Sequence, residues 1–324
     1  MRLNSNSRGF QWMVCLSIVL TLASCNNASE KIFGPISYPK DNAYRKEVAE
    51  FGKTLFFDKR LSADNSISCA SCHVPSKAFT DGLAKSKGIH GKIAFRNAPS
   101  LLNVAYQKTL MADGQIPSLE MQALVPLQDT AEMANNMGEL IRKLKAITFY
   151  QKKAKELFNR DFDAFVLTRS LAQFERTLLA KVAPFDEWYY HGNENAISVK
   201  AKKGWKIVTE ELYCAKCHPA PFFTNFKVEN NGFYSQLENH TDEGRFRITG
   251  DSSEIGSFKV PSLRNLSKTG PYMHNGSIKS IDEILEYYAK GGSKSKQQNK
   301  IIQPFILTNE KKESIKAFLK SLGD

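Results

Sequence analysis

The sequence predicts an all-α protein in which two helical domains follow one another along the chain. Its 324 residues are enough for about two ordinary domains. Several segments place apolar residues at the spacing of one helix face, and no long series of strands competes with them. One short cysteine motif occurs towards each end of the chain, the second starting 145 residues after the first. The simplest arrangement that accounts for this spacing is one motif in each domain.

Five segments carry the helical pattern in chain order. They are 43–57, a helix capped by Asp163 and running to about Ala180, 198–212, a helix that starts at the capping box Ser280-x-x-Glu283 and ends at Gly291, and a last amphipathic helix around 315–322. The stretch 183–196 contains Pro, Gly and Asn and marks the domain boundary. We therefore expect a linker over 25–40, one domain over 41–185 and a second over 196–324. No internal repeat is detected beyond the cysteine motifs.

The composition is that of a globular protein with a basic surface. Apolar residues make up 42% and charged residues 24%, which excludes a polytopic membrane protein and a largely disordered chain. Lys and Arg outnumber Asp and Glu 45 to 33. Such a surface suits an acidic redox partner or an anionic lipid surface, or it simply solvates the protein. We expect no nucleic-acid partner, because no basic helix is interleaved with aromatic residues.

Residues 1–24 have the order of a bacterial lipoprotein signal peptide. Arg2 and Arg8 precede an apolar run over 13–22 that is too short to span a bilayer. The following Leu-Ala-Ser-Cys25 resembles a lipoprotein cleavage box, which implies lipid on the Cys25 thiol. The alternative is an ordinary signal peptide that is cleaved elsewhere. Either way we expect an exported protein, and the lipoprotein interpretation places it in the periplasm, anchored to the outer membrane.

Two identical cysteine frames carry the chemistry. They are Cys69-Ala-Ser-Cys72-His73 and Cys214-Ala-Lys-Cys217-His218. Cys-x-x-Cys-His is the attachment sequence of c-type haem, in which the thiols bond to the vinyl groups and the histidine ligates the iron. One copy alone could be a thioredoxin-like redox pair or half of a zinc site. Zinc is disfavoured because the pairs are far apart and no nearby Cys or His completes either set. The sequence therefore predicts two covalently bound haem c groups.

These motifs lie within a longer pattern of matching segments. The segments are CASCHVPSKAFTDG (69–82), RNAPSLLNVAY (96–106), DGQIPSLEMQALVPLQDTAEM (113–133), CAKCH (214–218), FKVPSLRN (258–265) and PYMHNGS (271–277). In this order the chain resembles the bacterial di-haem cytochrome c peroxidase and MauG superfamily over most of its length. The resemblance implies two cytochrome c-like domains packed around an interdomain calcium site. It also implies that the N-terminal haem reacts with hydrogen peroxide and that the C-terminal haem receives or stores electrons.

The resemblance assigns roles at the N-terminal haem. His73 would be the proximal iron ligand, and His90, in a Gly-rich loop, can close the other side of the iron in a resting state. The alternative for His90 is a surface loop histidine. Glu132 would shuttle a proton between the two peroxide oxygens, and Gln122 would hydrogen-bond those oxygens. Without the resemblance, Glu132 would be interpreted as a solvated surface acid.

The resemblance also implies groups at the domain interface. The side chain of Asn97 and the carbonyls of Thr269 and Pro271 would hold Ca²⁺, a hard cation that favours oxygen ligands. His274 would lie near a propionate of the second haem. Arg264 could pair with a propionate, because guanidinium matches carboxylate geometry. A plain structural role is the alternative for Arg264.

The sixth ligand of the second haem separates two branches of the family. His218 would be its proximal ligand. In the peroxidase branch a Met lies fourteen residues after the histidine of the PYxH motif, whereas this chain has Tyr288 there, as the MauG-like branch does. A phenolate stabilises oxidised iron. Tyr287 points about 100° away from Tyr288 on a helix, so only one of them can face the iron. The alternative is that both tyrosines pack in the core.

One departure from the family lies between the two haems. Family members usually have a Trp there that relays electrons, and this chain has Ala112 in the segment Met111-Ala-Asp-Gly-Gln115. The two Trp of the mature chain lie in other segments. We therefore expect slow exchange of oxidising equivalents between the haems, unless another group bridges them.

Three functions are compatible with these residues. The preferred one is a cytochrome-c peroxidase that reduces hydrogen peroxide with electrons from a small cytochrome c or cupredoxin. The alternatives are a MauG-like oxidase that modifies a partner protein and a non-enzymatic di-haem electron carrier. Gln122 and Glu132 argue against the carrier, Tyr288 favours the MauG-like oxidase, and Ala112 counts against it. Family members often form homodimers, but the sequence identifies no dimer surface.

Overall fold

The computed structural model describes residues 28–236 and 242–323, and within these ranges the chain is mainly helical. The predicted signal peptide and Cys25 lie outside the described residues. The α-helices are α1 (Ala28–Phe33), α2 (Lys46–Phe56), α3 (Cys69–Cys72), α4 (Leu119–Gln122), α5 (Leu124–Gln128), α6 (Met137–Lys145), α7 (Thr148–Phe158), α8 (Ala164–Arg176), α9 (Pro184–Tyr189), α10 (Val199–Lys206), α11 (Phe246–Thr249), α12 (Ile281–Ala289) and α13 (Asn309–Ser321). Two short strands, β1 (Val228–Glu229) and β2 (Phe258–Lys259), pair antiparallel.

Two predicted caps and a third capping residue start helices. Asp163 accepts the Val166 amide at 3.0 Å and begins α8, which ends at Arg176, earlier than the sequence predicted. Ser198 caps α10, which continues through a π-helical turn towards the second cysteine motif. Ser280 caps α12. These polar side chains satisfy amides that a helix start leaves without partners.

The first half of the chain is built around the crossing of α2 and α8. A Cβ on Gly52 would lie 1.8 Å from the Ser170 carbonyl oxygen, so the two helices meet where only glycine fits. A core of buried side chains around this crossing includes Phe56 and Leu167. The first cysteine motif follows α2 in the chain, and Cys69 packs against this core.

The second half repeats this arrangement. Helices α10 and α13 cross at Gly204, where a Cβ would lie 1.9 Å from the Ser314 carbonyl oxygen. The second cysteine motif follows α10, as the first follows α2. The core around this crossing includes Phe318 and also Phe185 of α9, whereas the first core extends to Leu178. Helix α9 therefore packs with the second half.

A matching turn also occurs in each half. Residues 110 and 116 form an antiparallel bridge around one turn, and residues 272 and 278 form the corresponding bridge. Met111 has φ 67° and Met273 has φ 70°, both in the left-handed region. The expectation that no repeat exists beyond the cysteine motifs is therefore wrong. The repeat is visible in backbone geometry and in a few key positions, while most of the other side chains differ.

The two halves are tied together by the loop over 107–114. The Ala112 carbonyl accepts the Lys259 amide of β2 at 2.7 Å. Arg245 donates to the carbonyls of Asp113 and Gly114, both at 3.0 Å. The position that the family usually fills with Trp thus makes a backbone contact between the halves.

Within the two described ranges, no helix combines the length and apolarity needed to cross a membrane.

Candidate functional site

Each motif histidine is held by a backbone carbonyl of the loop that follows it. His73 Nδ1 lies 2.9 Å from the Phe79 oxygen, and His218 Nδ1 lies 3.0 Å from the Phe223 oxygen. Because a carbonyl can only accept, each Nδ1 carries the hydrogen, which leaves Nε2 as the metal-binding nitrogen. Burial lowers the pKa of both histidines and so favours the neutral imidazole that ligates a metal.

The four motif thiols are free rather than joined in disulfides. Burial raises the pKa of each thiol, that of Cys214 to about 11. A pair of free thiols beside an oriented imidazole is the donor set that attachment of a c-type haem requires. The chemistry of these residues therefore fits the predicted cofactor at both motifs.

Glu132 lies near the first motif. Burial and the charge of Asp129 raise the pKa of Glu132 to about 7. The pKa of the Cys69 and Cys72 thiols is raised mainly by burial, and the charge of Glu132 adds to this rise after that of Glu175 at Cys69, so the carboxyl lies within electrostatic range of both thiols. A carboxyl with a pKa near neutrality can both accept and return a proton. This pKa fits the predicted role of Glu132 as proton shuttle, which remains a prediction.

Gln122 ends α4, a short helix whose N-cap is Ser118. Its side-chain amide donates to the sulfur of Met111, with Nε2 3.8 Å from Sδ. The amide thus points towards the turn that carries Met111 and Ala112. The contact between Gln122 and Met111 has no signature in the sequence, because it depends on the left-handed backbone at Met111.

His90 occupies the surface position that the sequence left as its alternative. Its side chain is 67% exposed, and Nδ1 lies 3.6 Å from a carboxylate oxygen of Asp64. The backbone beside it is anchored, since the Ile89 amide donates to the Glu132 carbonyl at 3.0 Å. A closing role for His90 would require its side chain to leave Asp64 and turn inwards, which this structure does not show.

Tyr288 faces the second motif. Burial raises the pKa of Tyr288, and the charges of Cys214 and Cys217 add to this rise, so the ring lies within electrostatic range of both cysteines. The Asn231 amide donates to this hydroxyl at 3.2 Å. The Tyr287 hydroxyl instead donates to the Asn231 carbonyl at 2.9 Å. Of the two adjacent tyrosines, Tyr288 is therefore the one directed at the motif.

Asn231 is a site residue that sequence reasoning missed. Its amide reaches the Tyr288 hydroxyl and also lies 3.6 Å from the sulfur of Met273. A single Asn in a loop gives no sequence signal of such a contact. The same amide-to-sulfur contact occurs at the first motif, between Gln122 and Met111.

His274 lies at the interface of the two halves. Its ring stacks on Phe258 with 3.9 Å between the centroids and 8° between the planes. Burial is the main cause that lowers its pKa to about 4. Its Nε2 is buried and has no hydrogen-bond partner within the described residues. A nitrogen in this condition fits the predicted contact with a haem propionate, which remains a prediction.

The residues predicted to hold calcium are only partly connected. The Asn97 amide donates to the His274 carbonyl at 3.0 Å, which brings the segment around Asn97 close to the one around Pro271. The side-chain amide of Asn97 donates to the Leu83 carbonyl at 2.7 Å. The Thr269 hydroxyl donates to a neighbouring carbonyl within its own turn. The calcium site therefore stays a prediction.

Arg264 has a structural role in this arrangement. Its side chain is 2% exposed and forms a bidentate pair with Asp186 of α9 at 2.9 and 2.7 Å. Its Nε donates to the Pro221 carbonyl at 2.8 Å. The guanidinium thus uses three of its five N–H groups within the protein. The structure shows a structural role for Arg264, and the propionate contact remains a prediction.

Comparisons with known proteins point in one direction. Residues 46–195 match the family model described as di-haem cytochrome c peroxidase. The chain is 36% identical to the methylamine utilization protein MauG of Methylorubrum extorquens, over 89% of this chain and 81% of that protein. It is 30% identical to the cytochrome-c peroxidase IdrP2 of Denitromonas iodatirespirans, over 88% of this chain and 84% of that protein.

A solved structure is similar over almost the whole chain. It is the crystal structure of a MauG-like protein associated with microbial copper homeostasis, with a TM-score of 0.84 and 28% identity. The alignment covers 90% of this chain and 93% of that one. The similarity therefore extends over both halves of the chain.

Proposed function

Because this chain belongs to the di-haem cytochrome c peroxidase and MauG family, we propose that it is a MauG-like oxidase with two haem c groups. In this proposal it uses hydrogen peroxide to oxidise a partner protein. The observation that carries the choice is Tyr288, a partly buried tyrosine where the peroxidase branch has Met, whose hydroxyl accepts the Asn231 amide at 3.2 Å near the second motif. This position moves the preference away from the cytochrome-c peroxidase favoured by the sequence.

The proposed reaction starts at the first motif. When bound there, haem would supply the iron at which the oxygen–oxygen bond of peroxide is cleaved, and His73 would hold that iron. Glu132 would take the proton from one peroxide oxygen and deliver it to the other, which makes the leaving group water. Gln122 would orient the oxygens with its amide. The proposal leaves His90 out of this step, since its side chain is exposed and lies beside Asp64.

The second motif would hold the remaining oxidising equivalent. His218 and Tyr288 would hold the iron of the second haem, and the Asn231 amide donates to the Tyr288 hydroxyl. This donor stabilises negative charge on the phenol oxygen. A phenolate ligand in turn favours the oxidised state of the metal. The second site would thus support oxidation of a partner rather than simple storage of electrons.

A pair of adjacent variants tests this proposal. Tyr288→Phe removes the phenol oxygen and is expected to change the visible and electron paramagnetic resonance spectra of the ferric second haem. Tyr287→Phe is the matched control, because its hydroxyl donates to a backbone carbonyl and its ring packs on Phe233. It is expected to leave the spectra unchanged. Identical spectra for Tyr288→Phe and the parent protein would contradict ligation by Tyr288.

Ala112 favours a second candidate function, the peroxidase that takes electrons one at a time from a small cytochrome c or cupredoxin. Its methyl side chain cannot relay charge between the halves as an indole does. Its carbonyl instead accepts the Lys259 amide, so the loop is held by backbone contact at this point. If oxidising equivalents move slowly between the haems, an external donor protein is the simpler source of the electrons that reduce peroxide.

Location and calcium binding are further parts of the proposal. The basic start, the apolar run and Cys25 support export to the periplasm with a lipid anchor in the outer membrane. The backbone contact between Asn97 and His274 supports a calcium site that also includes Thr269 and Pro271. Removal of calcium with a chelator would then loosen the contact between the halves.

A further inference from the structure

Met111 places an oxidisable sulfur at the predicted peroxide site. Its Sδ lies 3.8 Å from Nε2 of Gln122, the amide proposed to orient the peroxide oxygens. Its left-handed backbone, φ 67°, is fixed by the antiparallel bridge between residues 110 and 116. Met111 is only partly exposed, so peroxide dissolved in bulk water has limited access to it. Peroxide bound at Gln122 would lie beside this sulfur.

The chain contains two internal comparisons for Met111. Met273 occupies the equivalent turn of the second half, with φ 70° and its sulfur 3.6 Å from the Asn231 amide. It is therefore matched to Met111 in backbone, partial burial and amide contact, but it lies at the second motif. Met121 precedes Gln122 in the chain and is 50% exposed. It reports the reaction of an exposed thioether with peroxide in solution.

We propose that Met111 is a modification site at which excess hydrogen peroxide converts the thioether to a sulfoxide and thereby switches the enzyme off. This inference rests on the proposed reaction of peroxide at the first motif. One oxygen of the peroxide is transferred to sulfur, the oxygen–oxygen bond breaks, and the other oxygen leaves as water with both hydrogens. Sulfur loses two electrons, the peroxide gains two, and no further reductant is needed.

The switch acts through Gln122. A thioether sulfur is a weak hydrogen-bond acceptor, whereas the oxygen of a sulfoxide is strongly polar. The new oxygen would lie between the sulfur and the Gln122 amide. It would accept the hydrogen bonds of the N–H groups that otherwise orient peroxide. The modified site would bind peroxide less well while the haem motifs stay intact. Methionine sulfoxide can be reduced enzymatically, so the switch is reversible.

The order in which methionines are oxidised tests the inference. The haem-loaded protein is treated with successive portions of hydrogen peroxide, and the peptides with Met111, Met121 and Met273 are followed by mass spectrometry. Oxidation directed by the site is expected to add oxygen to Met111 first, although Met121 is more exposed. Oxidation of Met121 before Met111, or of Met111 and Met273 at equal rates, would overturn it.

Activity and peroxide consumption are measured on the same samples. Activity is expected to fall in step with oxidation of Met111 and to recover with a methionine sulfoxide reductase. The variant Met111→Leu, a side chain without a β-branch that suits the same backbone, is expected to resist this inactivation. Consumption and inactivation that proceed while Met111 stays unmodified would sink this inference alone. A haem-loaded protein that consumes no peroxide would instead refute the proposed function.

Discussion

Replacing Glu132 with Gln is expected to slow the reaction with hydrogen peroxide by about 10²- to 10⁴-fold, the usual contribution of a positioned general acid–base group. Gln keeps the size and polarity of the side chain but cannot accept a proton and return it. The rate is measured by stopped-flow absorbance after mixing the ferric haem-loaded protein with peroxide. A loss of less than a few-fold would show that another group moves the proton.

The parent protein should show the pH dependence of this carboxyl. The shuttle must start as a carboxylate to accept the first proton, and burial together with Asp129 raises the pKa of Glu132 to about 7. The rate constant is therefore expected to rise with pH through about 7 and to level off above it. Glu132→Gln should lose this step because its side chain does not titrate.

Asp129→Asn provides the matched control for this profile. It removes the negative charge that adds to the raised pKa of Glu132, while an Asn oxygen can still accept the Ala131 amide that Asp129 accepts at 2.7 Å. The midpoint of the pH profile is expected to move to lower pH with the maximal rate retained. A midpoint that stays in place would mean that a different group controls the profile.

Gly204→Ala is expected to lower the free energy of unfolding by about 3 kcal/mol, the upper part of the usual range for overpacking a core. The added methyl would lie 1.9 Å from the Ser314 carbonyl oxygen and 2.8 Å from Cβ of Phe318, so α10 and α13 must separate. The higher helix propensity of Ala offsets about 1 kcal/mol at most. The cost of moving two packed helices is therefore expected to dominate.

Gly138→Ala is the control for Gly204→Ala. Gly138 also lies in a helix, α6, but a Cβ there would meet only the side-chain oxygen of Asn136, at 3.2 Å. Its stability is expected to change by less than about 1 kcal/mol. Both variants are compared by chemical denaturation of the haem-loaded protein. Equal effects would show that the crossing of α10 and α13 tolerates a wider separation.

The parts that the sequence predicted well are those set by local chemistry. Each Cys-x-x-Cys-His motif occupies five consecutive residues, so the residue types and spacing within one motif already indicate the cofactor. The predicted caps Asp163 and Ser280 satisfy amides within the next turn, and both start helices in the structure. Such features need no knowledge of which distant segments meet.

The parts that the sequence did not predict depend on distant contacts. The repeat shows in the sequence only as short matches, PSLLN (99–103) with PSLRN (261–265) and MADGQI (111–116) with MHNGSI (273–278). The helix crossings rest on single glycines, which no pattern within one helix connects. Asn231 acquires its contact with Tyr288 across 57 residues of sequence. The Arg264 contact with Asp186 spans 78 residues. No local pattern encodes which partner such a side chain meets.

The visible spectrum of the fully ferric, haem-loaded protein before and after hydrogen peroxide tests the central claim most directly. No electron donor is present, so any change comes from peroxide and the protein alone. The proposed MauG-like oxidase predicts a rapid change, because in it His90 does not close the first site and the second site can hold an oxidising equivalent. The His90 side chain is exposed and paired with Asp64 in this structure. An unchanged spectrum, with peroxide left unconsumed, would contradict the account.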